Sequence, residues 1–163
     1  MVIPEGGYHP LGAAGASLIM DAIPDNNYTH IYLPVGTATT LAGILRKSAA
    51  DQIICAVPVL KGLNDLPQRL KKLNAGLAYS TPSVIDQYHF GGYARSRQVL
   101  LDFMNAFYNT YAVPTDFVYT GKMMFAVMDA INRNEFTSGT RILCLHTGGL
   151  QGNASLPKGS LIF

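Results

Sequence analysis

The chain switches repeatedly between short unbroken apolar runs and longer stretches whose apolar residues return every three or four positions. The run Ile31-Tyr32-Leu33 reads as a strand that stops at Pro34, Gln52 to Val57 and Arg141 to Leu145 as strands buried on both faces, and Val84 to Phe90 as a shorter one. Helical spacing covers about Pro10 to Ile23, Leu41 to Ala49 and Leu63 to Asn74. Beyond a cap at Ser96, Leu100, Phe103, Met104, Phe107, Tyr108 and Tyr111 form an aromatic stripe expected in the core. A Met-rich helix then follows Thr120-Gly121-Lys122 to about Asn134, with Met124, Met128 and Ile131 inward.

Breakers punctuate this pattern. Pro10 suits a first helical position, Pro24 ends that helix, Asp25-Asn26-Asn27 makes a turn, and Gly76 stops the Leu63 helix. Val2-Ile3-Pro4 reads as a strand end before a Gly-rich turn. Gly12, Ala13, Ala14, Gly15 and Ala16 give the first helix a thin face able to lie very close to a sheet. Strands alternating with helices at intervals of about 20 to 30 residues predict an α/β fold with a parallel sheet. In such sheets ligands sit at the C-terminal ends of the strands, so Gly36–Thr40 and Thr147–Gly149 are expected at one edge.

The first strand leads through Gly36-Thr37-Ala38-Thr39-Thr40 into the next helical pattern. A helix start presents unpaired N–H groups and partial positive charge, which suits a phosphate or carboxylate. Small side chains let an anion approach the backbone, and three threonines add hydroxyl donors. An ordinary strand-to-helix turn with Thr as N-cap is the alternative.

Composition narrows the class. The 163 residues are the length of one domain; 48% are hydrophobic and 13% charged, about half the usual charged share. That excludes disorder and suits a sheet covered on both faces, or a chain resting against another domain. A net charge of +2 with no basic run longer than Lys71-Lys72 argues against nucleic acid. Cys55 and Cys144 lie in separate apolar runs and read as buried free thiols of a reducing compartment. No secretion signal and no run approaching the roughly 20 apolar residues of a membrane span is present, so a cytoplasmic protein is expected.

Several familiar motifs fail. A Walker A reading of Gly121-Lys122 needs Gly and Ser/Thr where Asp116 and Met123 stand. No Gly-x-Gly-x-x-Gly, Gly-x-Ser-x-Gly or Cys/His metal spacing occurs, and Asp102, Asp116 and Asp129 show no acid/base pairing.

Four stretches in order carry a resemblance. They are Ile3-Pro4-Glu5-Gly6-Gly7-Tyr8-His9-Pro10-Leu11-Gly12, Gly36–Gly43, Asp116-Phe117-Val118-Tyr119-Thr120-Gly121-Lys122 and Leu145-His146-Thr147-Gly148-Gly149. In order and spacing they resemble the C-terminal half of the aminocyclopropane-carboxylate deaminase and D-cysteine desulfhydrase family. These are pyridoxal 5'-phosphate enzymes of the tryptophan-synthase-β type. The resemblance spans nearly the whole chain and implies a three-layer αβα fold with a mostly parallel sheet.

It also implies roles. Gly36, Thr37, Ala38, Thr39 and Thr40 match the cofactor-phosphate loop, with Ala38 and Thr39 where glycines are common. Tyr93 and Tyr119 match tyrosines near cofactor and substrate. Thr120 matches the position facing the pyridine nitrogen. The deaminases carry Glu there, which keeps the ring a strong electron sink; neutral Thr120 suits loss of a β-leaving group better than opening a cyclopropane. The implied reaction is therefore D-cysteine desulfhydrase-like β-elimination to pyruvate, ammonia and sulfide, with aminocyclopropane-carboxylate deamination as the alternative. The family's Schiff-base lysine and substrate-binding Ser/Asn segment belong to an N-terminal portion matched by nothing here; Lys122 reads as a helix-start residue. The 163 residues are thus expected to be a fragment, inactive alone, partnered by the N-terminal half of the enzyme, a small amino-acid substrate and a second copy in a homodimer. A phosphate-ligand module without catalysis, and a structural remnant with a bare sheet edge, are the competing readings.

Overall fold

Side chains of the first strand alternate between two packed layers, and that alternation sets the architecture. The structure, a computed structural model, describes residues 3–25, 27–74 and 81–163. Strand β1 (His30–Val35) sends Ile31, Leu33 and Val35 to one face and Tyr32 to the other. Strand β2 (Ile53–Pro58) does the same, with Ile54 and Ala56 on the first face and Cys55 and Val57 on the second. Helices α1 (Pro10–Ala16), α2 (Leu18–Asp21), α3 (Thr39–Lys47) and α4 (Leu66–Lys72) bury their apolar residues on the first face. Helix α6 (Thr120–Asn132) covers the second, and α5 (Gln98–Tyr111) packs outside it. Both faces being covered explains why the strands read as unbroken apolar runs.

The sheet has order β3-β2-β1-β4, with β3 (Ser83–Val84) and β4 (Ile142–Cys144) at its edges. Every pairing is parallel, so the expected three-layer αβα fold is what the chain adopts. Pro34 does not end β1 as expected; the strand runs through it to Val35. Tyr32 turns its carbonyl to β4's side, accepting from Leu145 N at 2.9 Å, and Val35 turns its own to β2's side, accepting from Val59 N at 3.0 Å. Pro34 therefore faces the β4 side, past the last β1–β4 pair at Tyr32 and Cys144, where a missing N–H costs no ladder bond.

Other expectations shift. The first helix breaks at Ser17 into α1 and α2, where the Ser17 hydroxyl donates to Ala14 O at 2.7 Å. Its thin face meets α3 rather than the sheet: a Cβ on Gly43 would lie 2.7 Å from the Ala13 carbonyl oxygen and from Ala16 Cβ. Ile3 and Pro4 are not in a strand; Glu5–Gly7 forms a 3-10 turn. Val2, Asn26 and Gly76 lie outside the described residues, although Asn27 N does donate to Asp25 Oδ1 at 3.0 Å. Of Val84 to Phe90 only Val84 is in a strand, as the second residue of β3, and a 3-10 turn follows at Asp86–Tyr88. Helix α5 begins at Gln98 with Arg97 as N-cap and no side-chain cap, so Ser96 is not its cap. Within its stripe Leu100 and Met104 are core, the aromatics are half-buried, and Tyr111 is exposed. In α6 the phase is one residue off the expected one: Met123, Ala126, Val127 and Ala130 are buried, whereas Ile131 is exposed. Cys55 is buried and Cys144 half-buried, both as free thiols. Among the described residues no helix is long and apolar enough to cross a membrane.

Candidate functional site

At the C-terminal ends of the strands, where β4 stops short and its chain turns away from β1, a cavity of about 430 Å³ opens. Gly36 through Leu41 form its floor, Thr147, Gly148, Gly149 and Gln151 one wall, and Tyr93 and Tyr119 another. Glu5 and Gly6 close the remaining side. A crevice at this end of a parallel sheet is where such folds bind ligands, and the volume lies within the usual range for a small molecule.

The floor follows from the turn between β1 and α3. Ala38 is the N-cap of α3 and holds φ 73°, the left-handed region that favours glycine. No side chain caps this end, so none of the threonines serves as N-cap. Helix geometry leaves the first N–H groups, from Thr39 to Leu41, without intrahelical acceptors, and they face the cavity floor with the positive end of the helix dipole. The Thr37 and Thr39 hydroxyls lie 3.0 Å apart, and Thr37 reaches the Gly6 carbonyl at 3.4 Å. Gly6 is required there, because a Cβ on it would fall 2.6 Å from Thr37 Cγ2. Among the described residues that line the cavity there is no Lys or Arg, so the positive potential they bring to the floor is the backbone's.

The aromatic wall is built by a capped turn. Asp116, fully buried, accepts four hydrogen bonds: from Val118 N at 2.9 Å and Tyr119 N at 2.8 Å on Oδ2, and from Thr120 N at 2.9 Å and Thr120 Oγ1 at 2.7 Å on Oδ1. This closes the start of α6 and aims Tyr119 at the cavity, where a Cβ on Gly36 would meet its ring at 3.2 Å. Burial first, and Tyr93 second, push the Tyr119 phenol above its ordinary value. It stays protonated at neutral pH. Tyr93 packs edge-on against it, centroids 6.0 Å apart.

Thr120 is not on the cavity wall. It is fully buried, its hydroxyl proton goes to Asp116 Oδ1, and its oxygen accepts from Asp116 N at 2.8 Å. The structure thus gathers Gly36, Thr37, Ala38, Thr39, Thr40, Tyr93 and Tyr119 around one space and leaves Thr120 behind it. Lys122 is also fully buried, with Nζ donating to His89 O at 2.9 Å and Gly92 O at 2.7 Å. Sequence reasoning gave neither Lys122 nor Asp116 these roles; the spacing Asp116-x-x-x-Thr120 at a helix start was the available signal for the latter. His146 is structural: Nδ1 accepts from Gly148 N at 3.3 Å, so Nε2–H donates to Pro114 O at 2.8 Å.

No family model matches the chain. A Pyrococcus horikoshii protein, provisionally named a 1-aminocyclopropane-1-carboxylate deaminase, is 27% identical over 164 residues, covering 93% of this chain and 50% of that protein. D-cysteine desulfhydrases of Salmonella typhi and Yersinia pestis are 28% and 26% identical, each over 91% of this chain and 50% of theirs. The chain spans about half the length of the curated relatives it matches. A solved structure described as an ACC deaminase homologue superposes with a TM-score of 0.78 at 26% identity, over 93% of this chain and 50% of that one. In sequence and in fold, the chain resembles the C-terminal half of the aminocyclopropane-carboxylate deaminase and D-cysteine desulfhydrase proteins.

Proposed function

We propose that this chain is the cofactor-phosphate-holding part of a pyridoxal 5'-phosphate-dependent lyase or deaminase, acting on a small amino acid together with an N-terminal half. The observation that carries the reading is the shared cavity, in which an uncapped helix start faces two tyrosines across a vitamin-sized space. The phosphate end fits the residues present. Amides from Thr39 to Leu41 and the Thr37 and Thr39 hydroxyls supply donors without competing side-chain cations, and the Gly36 backbone leaves room for the Tyr119 ring. Glu5, next to the Gly6 that Thr37 touches, is the one carboxylate among the described lining residues. The other end fits less closely, because the one proton of the Thr120 hydroxyl is spent on Asp116.

When bound, the cofactor supplies an electron sink beside the substrate α-carbon. The chain's own residues hold and orient: the α3 start grips the phosphate, and Tyr119 Oη, kept protonated beside Tyr93, stands on the cavity wall. Tyr93, half exposed, flanks the ring side. Thr120 fixes the turn that aims Tyr119; in this conformation it offers no charge to a ring nitrogen, in keeping with a weaker sink. That favours D-cysteine desulfhydrase-like β-elimination, in which D-cysteine and water give pyruvate, ammonia and sulfide, over cyclopropane opening. A homodimer and inactivity of the isolated chain belong to the same proposal.

A second reading, a phosphate-ligand module without catalysis, is favoured by the absence of any lysine from the described cavity wall. Calorimetric titration of the chain tests what the two share. Pyridoxal 5'-phosphate is expected to bind at least about tenfold more tightly than pyridoxal, with inorganic phosphate competing. Equal affinity for both would remove the grip. Pyruvate assays on a full-length relative carrying Thr at this position then choose the chemistry, since turnover of the cyclopropane substrate but not of D-cysteine would reverse the preference.

A further inference from the structure

The loop that presents Tyr93 is poorly suited to hold itself. Phe90, Gly91, Gly92 and Ala94 all have positive φ, of 50°, 103°, 120° and 50°. Its internal bonds are three turn contacts, Gly92 N to His89 O at 2.9 Å, Gly91 N to His89 Nδ1 at 2.9 Å and Arg95 N to Gly92 O at 3.2 Å. Into it reaches Lys122, the third residue of α6 and the largest fully buried side chain among the described residues, donating to both His89 O and Gly92 O. Burying an ammonium is costly when an apolar side chain of like length would fill the space, so the two carbonyls are what the charge answers. Burial pulls the amine down to about 8, opposed by the Asp116 carboxylate. Three residues earlier on the same helix start stands Tyr119, whose ring meets that of Tyr93.

We propose that Lys122 is a positioning residue: its Nζ ties the 89–92 loop to the first turn of α6 and so sets Tyr93 against Tyr119 on the ring side of the cavity. The phosphate floor, built on β1 and α3, does not depend on this tie. The inference deepens the cofactor reading and rests on it for the ligand arm of the test alone.

The test pairs two probes on the 163-residue chain, pyridoxal 5'-phosphate and inorganic phosphate, with NMR contacts between the Tyr93 and Tyr119 rings. In Lys122→Met the ring–ring contacts are expected to vanish and pyridoxal 5'-phosphate to bind about tenfold more weakly, while phosphate affinity stays at the wild-type value. Retained ring contacts, or equal losses for both probes, would overturn the proposal. Should wild type bind neither probe, the cofactor reading fails, and the ring contacts alone decide the role of Lys122. If Lys122→Met does not fold, the wild-type Nζ protons decide: slow exchange with contacts to Gly92 Hα supports the tie, and solvent-averaged Nζ protons refute it.

Discussion

Asp116→Asn strikes the joint on which the aromatic wall turns. The carboxylate accepts four hydrogen bonds while fully buried, two on each oxygen. An asparagine oriented to keep its oxygen at the Oδ2 place retains the bonds from Val118 and Tyr119, without their charge assistance. Its amide replaces Oδ1; the Thr120 hydroxyl can rotate to accept from it, but Thr120 N–H then faces a donor. A buried unsatisfied N–H costs about 1–3 kcal/mol, and each bond that loses an ionised acceptor loses about 1 kcal/mol. Shedding a buried charge returns part of this, leaving a net loss of about 3 kcal/mol. With an m-value of about 2 kcal/mol per molar urea, the unfolding midpoint at pH 7, followed by far-UV circular dichroism, falls by about 1.5 M. Asp116→Ala, which strands all four donors, is expected to fall further. A midpoint for Asp116→Asn within about 0.25 M of wild type would refute the view that this carboxylate holds the turn.

Other consequences follow from burial and close approach. Lys122 titrates at about 8 in the fold against 10.5 when unperturbed, so between those values the unfolded chain binds more protons and stability rises with pH. Relative to Lys122→Met, wild type is expected to gain about 3 kcal/mol between pH 8 and 10.5 and nothing between pH 6 and 7; urea melts showing a constant difference across this range would contradict the shift. Gly43→Ala places a Cβ 2.7 Å from Ala13 O and is expected to cost about 2 kcal/mol, lowering the melting temperature by roughly 4–8 °C. Gly15→Ala meets nothing within 4 Å and is expected to raise it, by about 0.5–1 kcal/mol of helix propensity; calorimetric scans in which both variants shift the same way would count against the α1–α3 packing described.

Periodicity made the layers legible. Both-faces burial wrote β1 and β2 as unbroken apolar runs, whereas β4, read the same way, is a half-buried edge strand; the small residues after β1 marked the helix start that floors the cavity. What the pattern could not carry was direction within a mixed apolar helix. Met123 and Met124 are interchangeable by hydropathy, and only the packing of α6 on Tyr32 and Val57 picks the first. The thin α1 face told of a close approach, not of its partner, because Gly43 and a sheet ask the same of it. The role of Thr120 depended on who receives its proton, and Asp116, four residues away, receives it inside the protein. Lys122 reads in sequence as a helix-start residue; nothing in spacing reveals that two loop carbonyls of distant residues surround it.

The central claim is that the backbone start of α3 grips a phosphate. Its most direct test is a titration of the ¹⁵N-labelled chain with pyridoxal 5'-phosphate, followed amide by amide. The account predicts the largest shifts at Thr37 to Leu41, smaller ones at Gly148 and Gly149, and reversal by excess inorganic phosphate. Shifts that leave Thr37 to Leu41 unmoved would contradict it.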